Sequence, residues 1–392
     1  MKNILLFLCF FILIFACKKS NSSPIPTPPK TDQITGNAYN WDKFSMGADL
    51  SYVNQIEDNG GVYRDSGAVK DVFKIFKNHG CNTVRVRLWH NPTWYKALNS
   101  GKIYSDLADV ERTIKRAKAE GMAVNLDLHY SDDWADPNKQ LTPDAWKNLK
   151  IDALKDSVYN YTFAILTYLK SKNLTPEMIQ IGNEINFGLL HPIGKIENNN
   201  FVNCGILLNS GIKAVREFSK NSSIKPQIIL QVAQLQDAEW WVKGIKTSGA
   251  VHDFDIIGLS HYNKWTTVKS LEAIGKIINT LRNTYTYKVM IVETAFPWTD
   301  KNADTYNNLI SNNENATNYA LTQAEQKRYL QDLTQTVISA GGSGVQYWEP
   351  AWITSSMKDR WGTGSSWENC ALFDFSGNTI PSIDYMKPTY KF

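Results

Sequence analysis

Cysteine is scarce in this chain, with five residues among 392. Cys9 and Cys17 lie within or next to the apolar N-terminal segment, so Cys81, Cys204 and Cys370 remain for the rest of the protein. No two of these three have the spacing of a zinc knuckle, and three thiols cannot all pair with one another. We therefore expect buried thiols, with room for one disulfide.

An excess of charge of one sign is also missing. Lysine and arginine number 42 against 38 aspartates and glutamates, a net charge of +4, and removal of Lys2 with residues 1–16 leaves +3. So small and dispersed a charge gives no reason to propose a nucleic-acid partner. A hydrophobic content of 43% with 20% charged residues is ordinary for a soluble globular protein. We expect a monomer.

No apolar run is long enough to be a normal membrane span. The longest, residues 4–16, follows Lys2 and is typical of a signal-peptide core. Ile14-Phe15-Ala16-Cys17 resembles a bacterial lipobox, which implies cleavage before Cys17 and lipid attachment to its sulfur. A plain secretory signal with an incidental cysteine is the alternative.

The chain is therefore expected to have three parts. Residues 1–16 form a lipoprotein signal peptide, and residues 17–40 comprise lipidated Cys17 and a tether rich in proline and serine. Residues 41–392 form the folded domain. This order predicts a bacterial cell-envelope lipoprotein of the outer membrane, which touches the membrane only through its lipid anchor.

Short apolar runs alternate with amphipathic stretches from residue 44 onward. The predicted strands are residues 44–50, 83–89, 123–129, 178–183, 228–232, 256–260, 289–293 and 345–348. The predicted helices are residues 67–79, 106–120, 144–170, 201–219, 238–248, 268–282 and 322–340. Eight strands that alternate with helices favour an α/β fold, a single (β/α)8 TIM barrel.

A glycine-rich phosphate loop is absent after the first predicted strand. An open, doubly wound sheet is the alternative to the barrel, and it would favour such a loop. The residues there are Gly47-Ala48-Asp49, which do not match the fingerprint. No internal repeat and no second folded domain is evident either.

Two glutamates follow predicted strands directly, in Ile181-Gly182-Asn183-Glu184 and in Val292-Glu293-Thr294. The carboxyl ends of parallel barrel strands meet at one mouth, where catalytic residues lie. Two carboxyl groups across a cleft, one protonated and one ionised, are the minimum needed to cleave a glycosidic bond. A retaining reaction predicts a separation of roughly 5 to 5.5 Å between them.

The sequence around the two glutamates suggests different roles. Arg85 or Arg87, if either reaches Glu293, would keep that carboxylate ionised and able to attack. Glu184 has no cation in its local sequence, so burial would raise its pKa and keep it protonated. We therefore predict Glu184 as acid/base and Glu293 as nucleophile. The adjacent Asn183 could hold the 2-hydroxyl of the sugar.

Further polar and aromatic residues lie where the predicted strands stop, and we expect them to bind substrate. They are Asp49, Arg87, Trp89, Asp127, His129, Tyr130, Asp132, Asn183, Tyr262, Trp348, Glu349 and Trp352. His129 admits a metal interpretation, but no second histidine shares a motif with it, as a catalytic zinc would require. Glu349 is a third carboxylate that could compete as nucleophile. Trp134, Trp265 and Trp298 also lie in polar loops, and flat apolar rings suit sugar faces.

The loop after the seventh predicted strand, residues 295–321, is long and carries closely spaced oxygen ligands. Asp300, Asn302, Asp304 and Asn307 resemble a calcium loop, although not an EF-hand. A solvated polar loop is the alternative. Any Ca2+ here would be structural, and no cofactor is needed for the chemistry.

Seven segments in order resemble the endo-β-1,4-galactanases of glycoside hydrolase family 53, in the retaining clan A. They are residues 46–51 (MGADLS), 84–89 (VRVRLW), 128–137 (LHYSDDWADP), 182–184 (GNE), 292–294 (VET), 347–352 (YWEPAW) and 367–374 (WENCALFD). The resemblance implies endo-cleavage of β-1,4-galactan, in pectic side chains and type I arabinogalactan. It also implies Glu184 as proton donor, Glu293 as nucleophile and, as in some bacterial members, calcium after strand seven.

Two other functions remain open at this point. One is an endo-glycanase of the same clan that acts on mannan or cellulose, since the rim residues that read the C4 hydroxyl cannot be placed from sequence. The other is a surface glycan-binding lipoprotein that has lost catalysis, although both glutamates are present.

Overall fold

The computed structural model describes residues 40–311, 317–387 and 390–392. The predicted signal peptide, the lipidation site Cys17 and all of the tether except residue 40 lie outside these residues. Within them, no helix is both long enough and apolar enough to cross a membrane. Cys81, Cys204 and Cys370 are buried and free, as expected.

Eight parallel strands close into one barrel, which confirms the predicted (β/α)8 fold and excludes the open sheet. The strands are β1 Ser45–Asp49, β2 Thr83–Leu88, β3 Ala123–Leu128, β4 Met178–Ile181, β5 Gln227–Ala233, β6 Ile256–His261, β7 Lys288–Thr294 and β8 Gly344–Tyr347. Each strand pairs with the next in the chain, and β1 closes the ring by pairing with β8. All eight predicted strands are present, and no strand end is shifted by more than two residues.

Helices cover the outside of the barrel. They are α1 Val53–Asp58, α2 Val72–Asn78, α3 Tyr95–Leu98, α4 Leu107–Ala119, α5 Ile151–Ser171, α6 Val202–Ser219, α7 Ala238–Thr247, α8 Leu271–Tyr285 and α9 Gln323–Ser339. The short α1 and α3 were not predicted. The helix expected over residues 67–79 begins only at Val72, because Arg64–Asp65 and Ala68–Val69 pair as a small antiparallel hairpin.

Side-chain caps fix where several helices begin. The Asp71 carboxylate accepts hydrogen bonds from the backbone N–H groups of Phe73 and Lys74 at the start of α2. Thr322 caps α9 in the same way. Such caps satisfy donors that have no partner inside the helix, and each contributes about 1 kcal/mol.

The interior of the barrel is filled by an amide network below the mouth. Asn125 donates to Gln180 Oε1 at 3.1 Å and to Gln346 Oε1 at 3.0 Å, and Gln180 donates to Gln231 Oε1 at 2.7 Å. Buried polar groups are tolerated because they satisfy one another. This network provides a fixed polar floor for the side chains above it.

Candidate active site

Glu184 and Glu293 line one cleft at the carboxyl ends of the strands, with a volume of about 800 Å³. Glu184 follows β4 in a strained backbone with φ +46°. The preceding Gly182 has φ +86°, and a Cβ on it would lie 2.7 Å from Ile185 Cγ2. Glycine is therefore required where the chain turns to present Glu184.

Glu293 is directed into the cleft by an irregularity between β6 and β7. Leu259 pairs with Ile291, but the next residue, Ser260, pairs with Glu293, so Val292 is an extra residue in β7. Strand residues normally alternate between the two faces, and a bulge resets that alternation. Both Val292 and Glu293 can therefore face the interior of the barrel.

Three donors surround the carboxylate of Glu293. Arg85 Nη2 lies 2.8 Å from Oε1, and Gln231 Nε2 donates to the same oxygen at 2.9 Å. Tyr262 donates its hydroxyl to Oε2, also at 2.9 Å. A charged partner and two hydrogen bonds favour the ionised carboxylate, which a nucleophile requires. Arg85, rather than Arg87, is therefore the arginine that reaches Glu293.

Glu184 has the opposite environment. Burial is the main cause that raises its pKa, to about 8, and the negative charge of Glu293 raises it further. A hydrogen bond from Ser260 and the more distant Arg85 oppose the shift without cancelling it. Ser260 also accepts a hydrogen bond from Gln231, which in turn binds Glu293, so the two carboxyl groups share one hydrogen-bonded framework.

Arg85 is the centre of a buried charge cluster. Its Nη1 lies 2.7 Å from Asp49 Oδ2 and its Nη2 lies 2.8 Å from Asp127 Oδ2, in addition to Glu293. One guanidinium thus serves three carboxylates, and its effect on the pKa of Glu184 is smaller than that of burial or of Glu293. Asp49 and Asp127 are fully buried and do not line the cleft. They were expected to bind sugar, but in the structure they position Arg85.

Glu349 forms a second buried ion pair. Its Oε1 lies 2.7 Å from Arg87 Nη1, and its other oxygen accepts from the backbone of Tyr52. Burial raises the pKa of Glu349 to about 8 against the opposing effect of Arg87. Glu349 is fully buried and absent from the cleft lining, so it is neither a rival nucleophile nor a direct sugar contact.

Both ring nitrogens of His129 bind protein atoms. Nδ1 accepts from Trp89 Nε1 at 3.1 Å and from the backbone of Ala135 at 3.3 Å. The proton therefore lies on Nε2, which donates to Asp127 Oδ2 at 3.0 Å. No nitrogen lone pair is left for a metal. His129 lines the cleft, whereas Trp89 is buried behind it. Trp89 was expected to bind sugar, but in the structure it holds the imidazole of His129.

Tyr130 and Asp132 do not line the cleft. The Tyr130 hydroxyl lies 2.7 Å from Thr162 Oγ1, in the helical layer outside the barrel. Asp132 contacts the imidazole of His90 at 3.1 Å and accepts from the backbone of Asp144. A strand end directs alternate side chains away from the mouth, which corrects the expectation for these two residues.

Six of the predicted substrate-binding residues do line the cleft: Arg87, His129, Asn183, Tyr262, Trp348 and Trp352. Trp134 and Trp265 also line it, whereas Trp298 packs against Phe375 outside it. Sequence reasoning missed others that also line it: Tyr52, Asp136, Asn138, Lys139, Asn186, Phe187, Gln234, Asp237, Tyr306, Leu309, Asp359, Trp361, Ser366 and Trp367. Most of them belong to loops, and their only sequence signal is aromatic or polar composition after a strand.

The four predicted calcium ligands lie in different surroundings, and Asp300 is exposed. Asn302 binds the side chains of Asn307 and Asn308, and all three remain near the surface. Asp304 turns inward, where it accepts from Tyr306 N, Thr354 Oγ1 and Ser365 N. No group of three or more acidic, histidine or cysteine side chains in the described ranges could hold a metal ion.

Comparisons with known proteins agree with this geometry. The sequence model of the family described as glycosyl hydrolase family 53 matches residues 45–386 of this chain. An arabinogalactan endo-β-1,4-galactanase of Cellvibrio japonicus is 43% identical over 353 residues, which cover 89% of this chain and 92% of that protein. The structure superposes on the GH53 catalytic domain of Ignisphaera aggregans with a TM-score of 0.81 and 32% identity, covering 91% of this chain and 98% of that domain. A fungal β-1,4-galactanase structure gives a TM-score of 0.74 at 30% identity, and the match covers 88% of this chain and 99% of the fungal chain. The chain therefore belongs to glycosyl hydrolase family 53.

Proposed function

We propose that this protein is a retaining endo-β-1,4-galactanase that cleaves pectic galactan and type I arabinogalactan. The observation that carries the proposal is the asymmetric pair of carboxyl groups in one cleft. Glu293 is held by Arg85, Gln231 and Tyr262, whereas Glu184 keeps a pKa of about 8. The Cellvibrio japonicus relative and the fungal structure named above are galactanases, which supports galactan as the polymer.

The reaction has two steps. In the first, Glu293 attacks the anomeric carbon while Glu184 gives its proton to the glycosidic oxygen, so the bond to the leaving chain breaks and a glycosyl ester forms. In the second, Glu184 takes a proton from water, whose oxygen attacks the same carbon and releases Glu293. Two inversions return the starting β configuration.

The electrostatic coupling of the two glutamates suits both steps. In the free enzyme, the negative charge of Glu293 helps to keep Glu184 protonated. Ester formation removes that charge, so the pKa of Glu184 falls and its carboxylate becomes available as a base. The same residue can thus act as acid first and as base afterwards.

Asn183 is suited to hold the 2-hydroxyl of the sugar at the cleavage site. Its Oδ1 accepts from Arg85 at 2.9 Å, and one N–H of its amide is donated to the Ala135 carbonyl at 2.8 Å. The other N–H is left to bind the substrate. A hydrogen bond to this hydroxyl strengthens as positive charge develops on the ring.

The proposal is tested with purified enzyme on linear galactan, mannan and cellulose. We expect reducing ends from galactan alone, and 1H NMR of the first products should show the β anomer before mutarotation. Release from mannan or cellulose instead of galactan would favour another endo-glycanase. Binding of galactan without cleavage would favour the glycan-binding lipoprotein, and an initial α anomer would exclude retention.

We propose further that the protein is a monomeric lipoprotein of the bacterial outer membrane, anchored through Cys17. The lipobox-like segment 14–17 supports this proposal. In the native bacterium, Cys17→Ser should move the enzyme from the membrane fraction to a soluble fraction, with its galactanase activity retained. An unchanged membrane fraction for Cys17→Ser would contradict lipid anchoring.

Calcium binding by residues 295–321 stays a prediction, supported by the ligand types in the loop and opposed by the inward position of Asp304. Equilibrium dialysis of the chelator-treated enzyme against Ca2+ decides the question, since absence of bound ion would exclude a site. No step of the reaction depends on this ion.

A further inference from the structure

Two partly exposed aromatic rings lie beside the cleft, on the same side as the acid/base. Phe187 is 40% exposed and belongs to the loop that follows Glu184, and Trp240 is 38% exposed in the first turn of α7. Their ring centres are 6.4 Å apart. Single exposed apolar side chains are normal on protein surfaces. Two adjacent rings that continue from a cleft call for a functional explanation.

Contacts with neighbouring residues hold Trp240 and the loop of Phe187 in place. Trp240 donates its indole N–H to Asn199 Oδ1 at 2.9 Å and packs on Phe201, with ring centres 5.3 Å apart. The next residue, Trp241, is fully buried and donates to the carbonyl of Ile185 at 2.9 Å. This bond ties the first turn of α7 to the loop that carries Phe187. The two rings are thus preorganised, which reduces the entropy lost on binding a ligand.

The loop of Phe187 is fixed from below as well. The side chain of Asn186 donates to the carbonyl of Ala233 at 2.6 Å and accepts from the backbone N–H of the same residue at 2.8 Å. Asn186, Phe187 and Asp237 all line the cleft, and Asp237 lies one helical turn before Trp240. The cleft therefore extends from Glu184 to Phe187 and to the start of α7, and Trp240 lies just outside its lining, against Phe187.

The reaction defines which part of the substrate lies on this side. Glu184 protonates the oxygen that joins the cleaved sugar to the leaving chain, whereas Glu293 attacks the anomeric carbon. The leaving chain therefore extends beyond Glu184, toward Phe187. A β-galactosyl unit has an axial C4 oxygen, so its opposite face presents the C–H groups of C3, C4 and C5, an apolar surface that suits an aromatic ring.

We propose that Phe187 and Trp240 form a platform that binds galactosyl residues of the leaving chain, beyond the unit directly attached to the cleaved bond. The inference rests on the proposed galactanase function. Binding energy from remote parts of a substrate can be used to orient the reacting bond. The platform therefore favours long galactan over substrates that have no sugar on the leaving side.

The test compares two substrates for each variant: linear galactan and an aryl β-1,4-galactobioside, whose leaving group carries no galactosyl unit. The measured quantity is the ratio of kcat/KM on galactan to kcat/KM on the aryl substrate. Trp240→Ala removes the ring that would cover a bound galactosyl unit, so we expect it to lower this ratio about tenfold. Phe187→Ala should lower it in the same direction, and Trp240→Phe should restore most of it.

Tyr168→Ala is the matched control, because Tyr168 is an equally exposed aromatic residue (38%) on α5 and does not line the cleft. Its ratio should equal that of the wild type. A wild-type ratio in Trp240→Ala would overturn the platform while leaving the galactanase function intact. A wild-type enzyme that cleaves the aryl substrate but not galactan would overturn the proposed function itself, and the platform with it.

Discussion

Glu293→Ala should lower kcat on galactan by roughly four to six orders of magnitude, as removal of a catalytic nucleophile does in other hydrolases. The expected cause is loss of the glycosyl ester, because the remaining donors, Arg85, Gln231 and Tyr262, cannot replace the attacking oxygen. Initial rates on galactan, with the unfolding temperature as a check on folding, measure the effect.

Azide provides a diagnostic for the same variant. With an activated aryl β-galactobioside, azide can enter the space left by the Glu293 side chain and attack the anomeric carbon while the aryloxide leaves. One inversion then gives the α-galactobiosyl azide. Formation of the β-azide, or a rate near that of the wild type without azide, would show that another group is the nucleophile. Glu349→Ala cannot serve as a control for this test. Loss of Glu349 would leave Arg87 buried and without its ion-pair partner, so the fold itself would be destabilised.

The strand pattern predicted the barrel because eight short, largely apolar runs alternate with amphipathic stretches, as parallel strands covered by helices do. The residues at the strand ends were harder to assign. Asp49 and Asp127 were expected to touch sugar, but the register places Asp49 beside Arg85 and Arg87 beside Asp127. The carboxylates of Asp49 and Asp127 form ion pairs with Arg85 and are not available to bind sugar.

The choice between the two arginines could not be made from sequence. Arg85 and Arg87 both point inward from β2, and either could have reached Glu293. The bulge that adds Val292 to β7 determines the outcome, and nothing in the local sequence marks it. Loop residues such as Phe187 were missed for a related reason, since their positions depend on tertiary contacts such as that of Asn186 with Ala233.

Glu184→Gln should lower kcat/KM on galactan by about a hundredfold to ten-thousandfold, the usual contribution of a general acid. An alkoxide leaving group needs a proton, whereas an activated phenol does not. The variant should therefore still form the glycosyl ester quickly with an activated aryl galactobioside, and then accumulate it because no base deprotonates water. Added azide should release this ester as the β-azide, after a second inversion and opposite to the product of Glu293→Ala.

The pH profile tests the assignment independently. In the free enzyme, Glu184 must be protonated, and its pKa is raised to about 8 by burial and by the charge of Glu293. The value of kcat/KM on galactan should therefore fall as the pH rises through about 8, and Glu184→Gln should lose this alkaline limb. Burial also raises the pKa of Glu349 to about 8, so Glu349→Gln is the necessary comparison. An alkaline limb that persists in Glu184→Gln and disappears in Glu349→Gln would assign the essential proton to the Arg87–Glu349 pair and would reject Glu184 as the acid.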